Sequence, residues 1–364
     1  MNTFGMKVKA RCFIEYDSVA DLVDIEFEEL ARPVLHIGGG SNLLFTDDFK
    51  GTVLHSKIDF IEILNGSPEP HCDDRDSLCH CEERSDVAIS SPVLVSVGAG
   101  VVFDDFCAWA AKEGLWGVEN LSYIPGEVGA SAVQNIGAYG VEVKDVIHKV
   151  YCYDTVEEEF VSFSVEECGY GYRDSFFKRP EIKGRYVVTH VVFALSREPK
   201  PVLDYGHLKE AVADCHFERS GSGDEKSLTP AMIRKVIIRI RKEKLPEPSV
   251  KGSAGSFFKN PVIPMEHYLR IEAAAKAEFG PDYKVPHYDL PDGMVKVPAA
   301  WMIEQCGWKG KRSGGAAVWD KQPLVIVNHT GEAYPEEIVG LEKRIIASVK
   351  AKFGVELHPE VEHI

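Results

Sequence analysis

Two glycine-rich segments are the first places where this sequence predicts chemistry. One is Gly38-Gly39-Gly40-Ser41-Asn42, and the other runs from Ile124-Pro125-Gly126 to Gly140. Glycine is retained mainly where φ must be positive or where the backbone closely approaches another group. Successive backbone N–H groups in such turns bind anions, and Ser and Asn side chains add donors. The segments therefore predict a diphosphate site, although tight turns and small-residue packing would use the same residues.

Neither segment carries one of the common nucleotide-binding motifs. The first lacks the spacing of the Rossmann G-x-G-x-x-G motif, and the sequence contains no G-x-x-x-x-G-K-[ST] P-loop. The two commonest nucleotide-binding folds are therefore disfavoured.

Three polar side chains are candidates for catalysis, and each has a structural alternative. Arg173 fits either bidentate binding of a carboxylate or a surface ion pair with Asp174. Ser256, which precedes two phenylalanines, fits either a proton donor in a dry pocket or a hydroxyl that packs in a Gly-Ser turn. For Glu360, the sequence alone favours a solvated tail.

Alternating and helical apolar patterns predict the elements that position these residues. Strands are expected at 33–37, 93–97, 185–195 and 324–328, and helices at 103–112, 228–244, 299–305 and 336–353. In helix 228–244, Thr229 is expected to cap a stripe of apolar side chains. The fold class is therefore mixed α+β, and Leu245-Pro246-Glu247-Pro248 is the best candidate domain boundary.

Five motifs in order along the chain resemble those of the UDP-N-acetylenolpyruvoylglucosamine reductase (MurB) family of bacterial cell-wall synthesis. The resemblance covers nearly the whole chain except residues 66–92, and Val202–Gly206 is similar to the tyrosine loop of the family's type I branch. The motifs are the two glycine-rich segments, Tyr170–Lys178, Gly252–Pro261 and Pro359-Glu360-Val361.

This resemblance implies a fold, a reaction and its cofactors. The fold would be the FAD-binding fold of the MurB and vanillyl-alcohol-oxidase type, with one subdomain from residues 1–57 and 347–364 and a second from 58–245. Residues 246–346 would bind the sugar nucleotide. NADPH would reduce noncovalent FAD, and hydride would then pass to UDP-N-acetyl-3-O-(1-carboxyvinyl)-glucosamine to give UDP-N-acetylmuramate.

The resemblance also assigns roles to individual residues. Ser256 would donate the proton, and Glu360 would pair with Arg173 to stabilise the intermediate or to hand over a proton. The diphosphate and carboxylate of the substrate would be held by Tyr205, Lys244, Lys259 and Asn260, although Lys244 also suits the last turn of its helix. The expected FAD contacts are Gly38, Gly39, Gly40, Ser41, Asn42, Ile124, Pro125, Gly126, Ser131, Gln134, Asn135, Gly137, Ala138 and Tyr139.

Composition limits the partners and the compartment. The net charge of −16 disfavours binding to nucleic acid or to an anionic membrane, so small molecules are the expected partners. Nine scattered cysteines, with no apolar segment of signal-peptide type, predict a reducing cytoplasm. Residues 66–92 form an acidic insertion whose Cys72, Cys79 and Cys81 do not match a standard zinc site, so no metal is expected.

Two other functions remain open from the sequence. One is an FAD-dependent oxidase of related fold, which would take hydride from an alcohol. The other is a nonenzymatic sensor of flavin or of a sugar nucleotide.

Overall fold

The computed structural model describes residues 2–64, 91–217 and 228–364. The predicted insertion at 66–92 lies almost wholly outside the described residues. The helices within them are α1 (Val19–Val23), α2 (Phe103–Lys112), α3 (Val128–Gln134), α4 (Leu208–Phe217), α5 (Pro230–Lys244), α6 (Met265–Phe279), α7 (Ala299–Gln305) and α8 (Pro335–Phe353).

The strands in the described residues are between two and ten residues long. They are β1 (Ala10–Tyr16), β2 (Val34–Ile37), β3 (Leu43–Leu44), β4 (Phe49–Ser56), β5 (Ile61–Ile63), β6 (Val93–Gly98), β7 (Gly137–Ala138), β8 (Val141–Glu142), β9 (Ile147–Asp154), β10 (Glu159–Ser164), β11 (Tyr186–Leu195), β12 (Gly252–Ser253), β13 (Val262–Pro264), β14 (Tyr288–Asp289), β15 (Met294–Lys296), β16 (Arg312–Ser313), β17 (Ala316–Val318), β18 (Ile326–Asn328) and β19 (Glu362–His363).

One compact unit consists of residues 12–38 and 51–240. Its largest sheet has the antiparallel order β10-β9-β11-β6-β5, and β11 is the central strand because its β-branched and aromatic residues pack on both faces. Helices α2 and α3 supply apolar side chains to the same core. Phe193 of β11 is fully buried there, with its ring centroid 4.6 Å from that of Phe106.

Replacing Phe193 by alanine should lower the free energy of unfolding of this unit by about 3–5 kcal/mol, because the change leaves a cavity among rigid neighbours. Chemical denaturation of the apoprotein, followed by circular dichroism, measures the loss. Val156→Ala, at a side chain that is 64% exposed, is the control and should change stability by less than about 0.5 kcal/mol. Equal effects of the two substitutions would contradict the burial of Phe193.

A smaller sheet with the order β1-β4-β2 lies in the same unit and leads into the first glycine segment. Strands β2 and β4 are parallel, and Ile37 pairs in register with His55. Since Gly38 directly follows Ile37, this pairing fixes where the glycine segment begins.

Helix α5 has the predicted cap and apolar stripe. The backbone N–H of Met232 donates to Thr229 Oγ1 at 3.3 Å. Ile233, Val236 and Ile237 are buried in a cluster with Trp116. The stripe is therefore packed as part of the protein core.

A second compact unit consists of residues 1–11, 39–50 and 241–364. It contains the antiparallel sheets β12-β18-β17-β16 and β13-β15-β14, and the parallel pair β19-β3. Helix α8 buries Ile338, Leu341, Ile345 and Val349 in the core of this unit, as its sequence pattern predicts.

The mixed α+β class is confirmed, since helices accompany sheets in both units. The two units are not bounded by the same residues as the three domains expected from the resemblance, and that assignment stays a prediction. In the described part of the chain, no helix is both long enough and apolar enough to cross a membrane.

Candidate active site

The second glycine segment forms a turn that leads directly into a short helix. Gly126 has φ of +126°, a conformation that side chains strongly disfavour, and its carbonyl accepts a hydrogen bond from the Phe103 N–H at 3.0 Å. Glu127 follows as the N-cap residue of α3. The next two N–H groups, of Val128 and Gly129, donate to Val101 and Ala99 carbonyls at 3.0 Å each, so the protein itself uses these amides.

Close packing accounts for several glycines in the two segments. A Cβ on Gly129 would lie 2.9 Å from Ala99 Cβ, and one on Gly137 would lie 2.8 Å from Arg173 Nη1. At Gly38 a Cβ would lie 3.0 Å from Ala130 Cβ and 3.2 Å from a Glu127 carboxylate oxygen. The packing alternative considered from the sequence therefore explains these three glycines.

Polar side chains of the second segment are bonded within the protein. Ser131 Oγ donates to the Val128 carbonyl at 2.7 Å, and Gln134 Oε1 accepts from Lys178 Nζ at 2.9 Å. Asn135, whose φ is +45°, donates to Glu142 and to the Gly171 carbonyl. Ser131, Gln134 and Asn135 hold the segment in shape, and their roles as FAD contacts stay predictions.

Arg173 lies against the end of α3. Its guanidinium donates to the backbone carbonyls of Asn135 and Gly137, and its carbon Cζ lies 5.3 Å from the centre of the Tyr172 ring. Arg173 itself has φ of +55°, a left-handed backbone conformation that is uncommon for residues other than glycine. These contacts position a cationic side chain next to the second glycine segment.

The predicted tyrosine loop packs on the end of the same segment. The ring of Tyr205 meets the ring of Tyr139 edge to face, with centroids 6.1 Å apart. The buried Asn120 side chain donates to the carbonyls of Tyr139 at 2.9 Å and Val202 at 2.8 Å, which joins loop to segment. Asn120 could not be predicted from the sequence, because no motif or periodicity marks it.

A buried charged network also lies in this unit. The His55 side chain is 1% exposed, and its Nδ1 lies 2.8 Å from Glu15 Oε1 while its Nε2 lies 3.0 Å from Glu127 Oε1. The hydrogen bond with Glu127 is the largest cause of a raised His55 pKa; burial opposes it and Glu15 adds to it. Two carboxylates thus favour the imidazolium form of His55.

The Ser256 motif belongs to the other unit. Ser256 follows Gly255, whose φ is +70°, and precedes two buried rings, Phe257 and Phe258. The serine is half-buried, and within the described residues its hydroxyl has no hydrogen-bond partner. The hydroxyl is therefore available to a ligand.

The Glu360 segment is fixed beside the Ser256 motif in the same unit. The Glu360 N–H donates to the Phe257 carbonyl at 2.8 Å, and its carbonyl accepts from Asn42 Nδ2 at 3.1 Å. Strand β19 then pairs in parallel with β3, with Glu362 opposite Leu43. The solvated tail favoured by the sequence alone is therefore wrong, and the structure brings Asn42, Ser256 and Glu360 motifs together.

Three further residues predicted to bind the substrate lie in the second unit, each with a contact inside the protein. Asn260 Oδ1 accepts from the Ala299 N–H at 2.9 Å, so it caps the start of α7. The Lys259 N–H donates to the His358 carbonyl at 2.9 Å. Lys244 is exposed, and its carbonyl accepts from the Trp319 indole at 3.0 Å.

Two family models match this chain. Residues 247–364 match the C-terminal domain of UDP-N-acetylenolpyruvoylglucosamine reductase, and residues 87–161 match an FAD binding domain. The enzyme of that reductase name from Bacteroides fragilis (strain YCH46) is 47% identical, with 100% of this chain and 97% of that protein covered. This chain belongs to the UDP-N-acetylenolpyruvoylglucosamine reductase family.

Two further matches, one to a protein sequence and one to a crystal structure, support this family membership. The Porphyromonas gingivalis (strain ATCC 33277) reductase is 41% identical, with 100% of this chain and 96% of that protein covered. The crystal structure of the Thermus caldophilus reductase matches with a TM-score of 0.59 at 22% identity, covering 100% of this chain and 95% of that one. That likeness supports the fold alone.

The expectation of FAD is confirmed by the FAD binding domain and by membership in the reductase family. The structure is compatible with it, since Gly40 with φ of +64° and Gly126 with φ of +126° keep the backbone of both glycine segments uncovered by a side chain. The catalytic residues assigned from the resemblance are divided between the units, with Arg173 in one and Ser256 and Glu360 in the other. Their roles stay predictions.

Proposed function

We propose that this chain uses NADPH and FAD to reduce UDP-N-acetyl-3-O-(1-carboxyvinyl)-glucosamine to UDP-N-acetylmuramate in the cytoplasm, as a step of peptidoglycan precursor synthesis. The observation that carries the proposal is 47% identity to a named reductase across the whole chain. Six unpaired cysteines in the described residues are compatible with a reducing compartment.

FAD, when bound, supplies hydride to the methylene carbon of the enolpyruvyl group. Negative charge then develops on the carbon next to the substrate carboxylate, and this charge must be stabilised and protonated. We assign protonation to Ser256, whose half-buried hydroxyl has no partner among the described residues. The serine hydroxyl is a weak acid, but the C–H group of the protonated product is a weaker one. Proton transfer from Ser256 to the carbon is therefore favourable when the hydroxyl is aligned with it.

Arg173 and Glu360 are assigned to the charge of the intermediate. Arg173 is held by two carbonyls, so its guanidinium is already oriented before a carboxylate arrives. The backbone N–H and carbonyl of Glu360 are both hydrogen-bonded, and these bonds fix the position from which its side chain extends. Tyr205, Lys244, Lys259 and Asn260 are assigned to the sugar nucleotide.

Anaerobic stopped-flow absorbance tests the proposal directly. NADPH should bleach the flavin absorbance of the purified protein, and the enolpyruvyl substrate should restore it with formation of UDP-N-acetylmuramate. An FAD-dependent oxidase would instead be reduced by an alcohol and reoxidised by oxygen. Flavin that neither NADPH nor an alcohol reduces would favour the sensor.

The Gly126 turn should be needed for FAD retention. Gly126→Val should lower the flavin content of purified protein severalfold, because valine is strained at φ of +126° and narrows the approach to the backbone. The flavin-to-protein absorbance ratio measures the effect. Gly114→Val is the control: it adds similar strain at φ of +71° in the same unit, where an added Cβ meets nothing within 4 Å. Full flavin content in Gly126→Val would place the diphosphate elsewhere.

A further inference from the structure

We propose that Glu15, His55 and Glu127 form a charged clamp that positions the Gly126 turn and lowers the repulsion between Glu127 and the diphosphate of FAD. The proposal rests on the proposed placement of FAD at this turn. None of the three residues is in the lists assigned above to FAD or to the substrate, although Glu127 lies within the second glycine segment.

The clamp joins the two glycine segments through a single residue. His55 lies in β4 in register with Ile37, the residue before Gly38. Through Nε2 the same side chain binds Glu127, the residue after Gly126. The Glu127 carboxylate also lies 3.2 Å from where a Cβ on Gly38 would stand. One histidine therefore fixes the start of one segment relative to the turn of the other.

Charge gives the clamp a second role. Glu127 is only 10% exposed and directly follows the turn proposed to bind an anion, so its negative charge alone would repel a diphosphate. The His55 imidazolium offsets that charge in part, and both of its ring nitrogens face a carboxylate oxygen. A neutral imidazole could donate to only one of the two carboxylates and would leave the other opposed by a lone pair.

Two elements present titratable groups to His55 over the pH range of histidine titration. Glu15 faces it from β1 and Glu127 from the start of α3. Tyr16, also on β1, has its pKa raised to about 12, mainly by burial, and stays neutral over the same range. The Phe13 ring stacks on the imidazole with centroids 6.3 Å apart and carries no charge.

The direction of the pH dependence follows from the raised pKa of His55. The imidazolium is present below that pKa and is lost as the pH rises through it. Its loss makes the net charge of the clamp more negative by one unit. FAD should therefore bind less tightly at high pH. If bound FAD raises the pKa of His55 by a further unit, the affinity falls about tenfold across the titration, since the coupling is reciprocal.

The experiment measures the dissociation constant of FAD for the apoprotein, by flavin fluorescence, from about pH 6 to about pH 9, the range that spans histidine titration. The wild-type affinity should fall about tenfold with rising pH. His55→Gln should bind weakly with no inflection. Glu127→Gln should move the inflection to lower pH, because it removes the largest cause of the raised pKa.

A double variant separates electrostatics from simple structural damage. His55→Gln with Glu127→Gln should bind FAD more tightly than His55→Gln alone, because the uncompensated carboxylate is gone. The matched control is Asp154→Asn, which removes a carboxylate that is 3% exposed and bound to Arg185 in the same unit. It should lower stability but keep the wild-type pH profile.

Two results with the variants would overturn the clamp. One is a pH inflection of FAD affinity that is unchanged in Glu127→Gln, and the other is a double variant that binds FAD no more tightly than His55→Gln. If the variants do not fold, NMR titration of His55 in the wild-type protein decides, and a pKa that FAD does not raise rejects the coupling. FAD binding without pH coupling would reject the clamp alone, whereas wild-type protein that binds no FAD would reject the proposed function with it.

Discussion

Ser256→Ala should slow reoxidation of the reduced flavin by the enolpyruvyl substrate about 10²- to 10⁴-fold, the usual contribution of a positioned general acid. Flavin reduction by NADPH should stay near the wild-type rate. The hydroxyl has no partner among the described residues, so its removal should not disturb other contacts. Stopped-flow absorbance times the two half-reactions separately.

Two further variants make this result specific. Ser256→Cys should recover part of the lost rate, because a thiol also gives a proton. Ser253→Ala makes the same substitution three residues earlier, at a buried serine in β12, and should affect neither half-reaction selectively. Equal slowing of both half-reactions by Ser256→Ala would indicate a disturbed flavin site and remove the case for Ser256 as the acid.

Arg173→Lys and Glu360→Gln should each slow turnover about 10²- to 10³-fold, the range seen when one preorganised electrostatic group is lost. The double variant should lose less than the product of the two single losses, because both groups are assigned to one intermediate. Lysine keeps the charge of Arg173 but cannot hold both carbonyls and a carboxylate in the same planar geometry. Steady-state kinetics with the enolpyruvyl substrate measure the losses.

The control for the arginine is Arg185→Lys, at a guanidinium that binds the buried Asp154 in the same unit and should change stability more than turnover. Strictly multiplicative losses for Arg173 and Glu360, with flavin reduction by NADPH intact, would mean that the two residues act separately.

Elements with strong local patterns could be predicted from the sequence. Helix α5 was predicted with its Thr229 cap, and β11 with one residue of difference at its start, because apolar periodicity and β-branched residues act within a few positions. Helices α4 and α6 were not predicted. In α6 the buried positions Tyr268, Ile271 and Ala275 mark one face, but charged and alanine residues dominate the segment.

The parts of the candidate site that could not be predicted depend on contacts between residues far apart in the sequence. Glu15 lies 40 positions from His55 and Glu127 lies 72 positions from it, so no local pattern joins them. Asn120 likewise reaches Val202 across 82 positions. The opposite error concerns Glu360, where position near the end of the sequence suggested a solvated tail. Its backbone is instead bonded to Phe257 and Asn42.

The assembly of the second unit from three separate stretches of chain has a consequence for the order of folding. Residues 12–38 and 51–240 can complete their own unit before the last residues of the second unit have been made. Strand β3 cannot form its pairing at that stage, because its partner β19 is made far later. The Asn42–Glu360 hydrogen bond likewise spans 318 positions. Such non-local pairing is slow to form. During synthesis, the motifs of Ser256 and Glu360 are therefore the last to acquire their final arrangement.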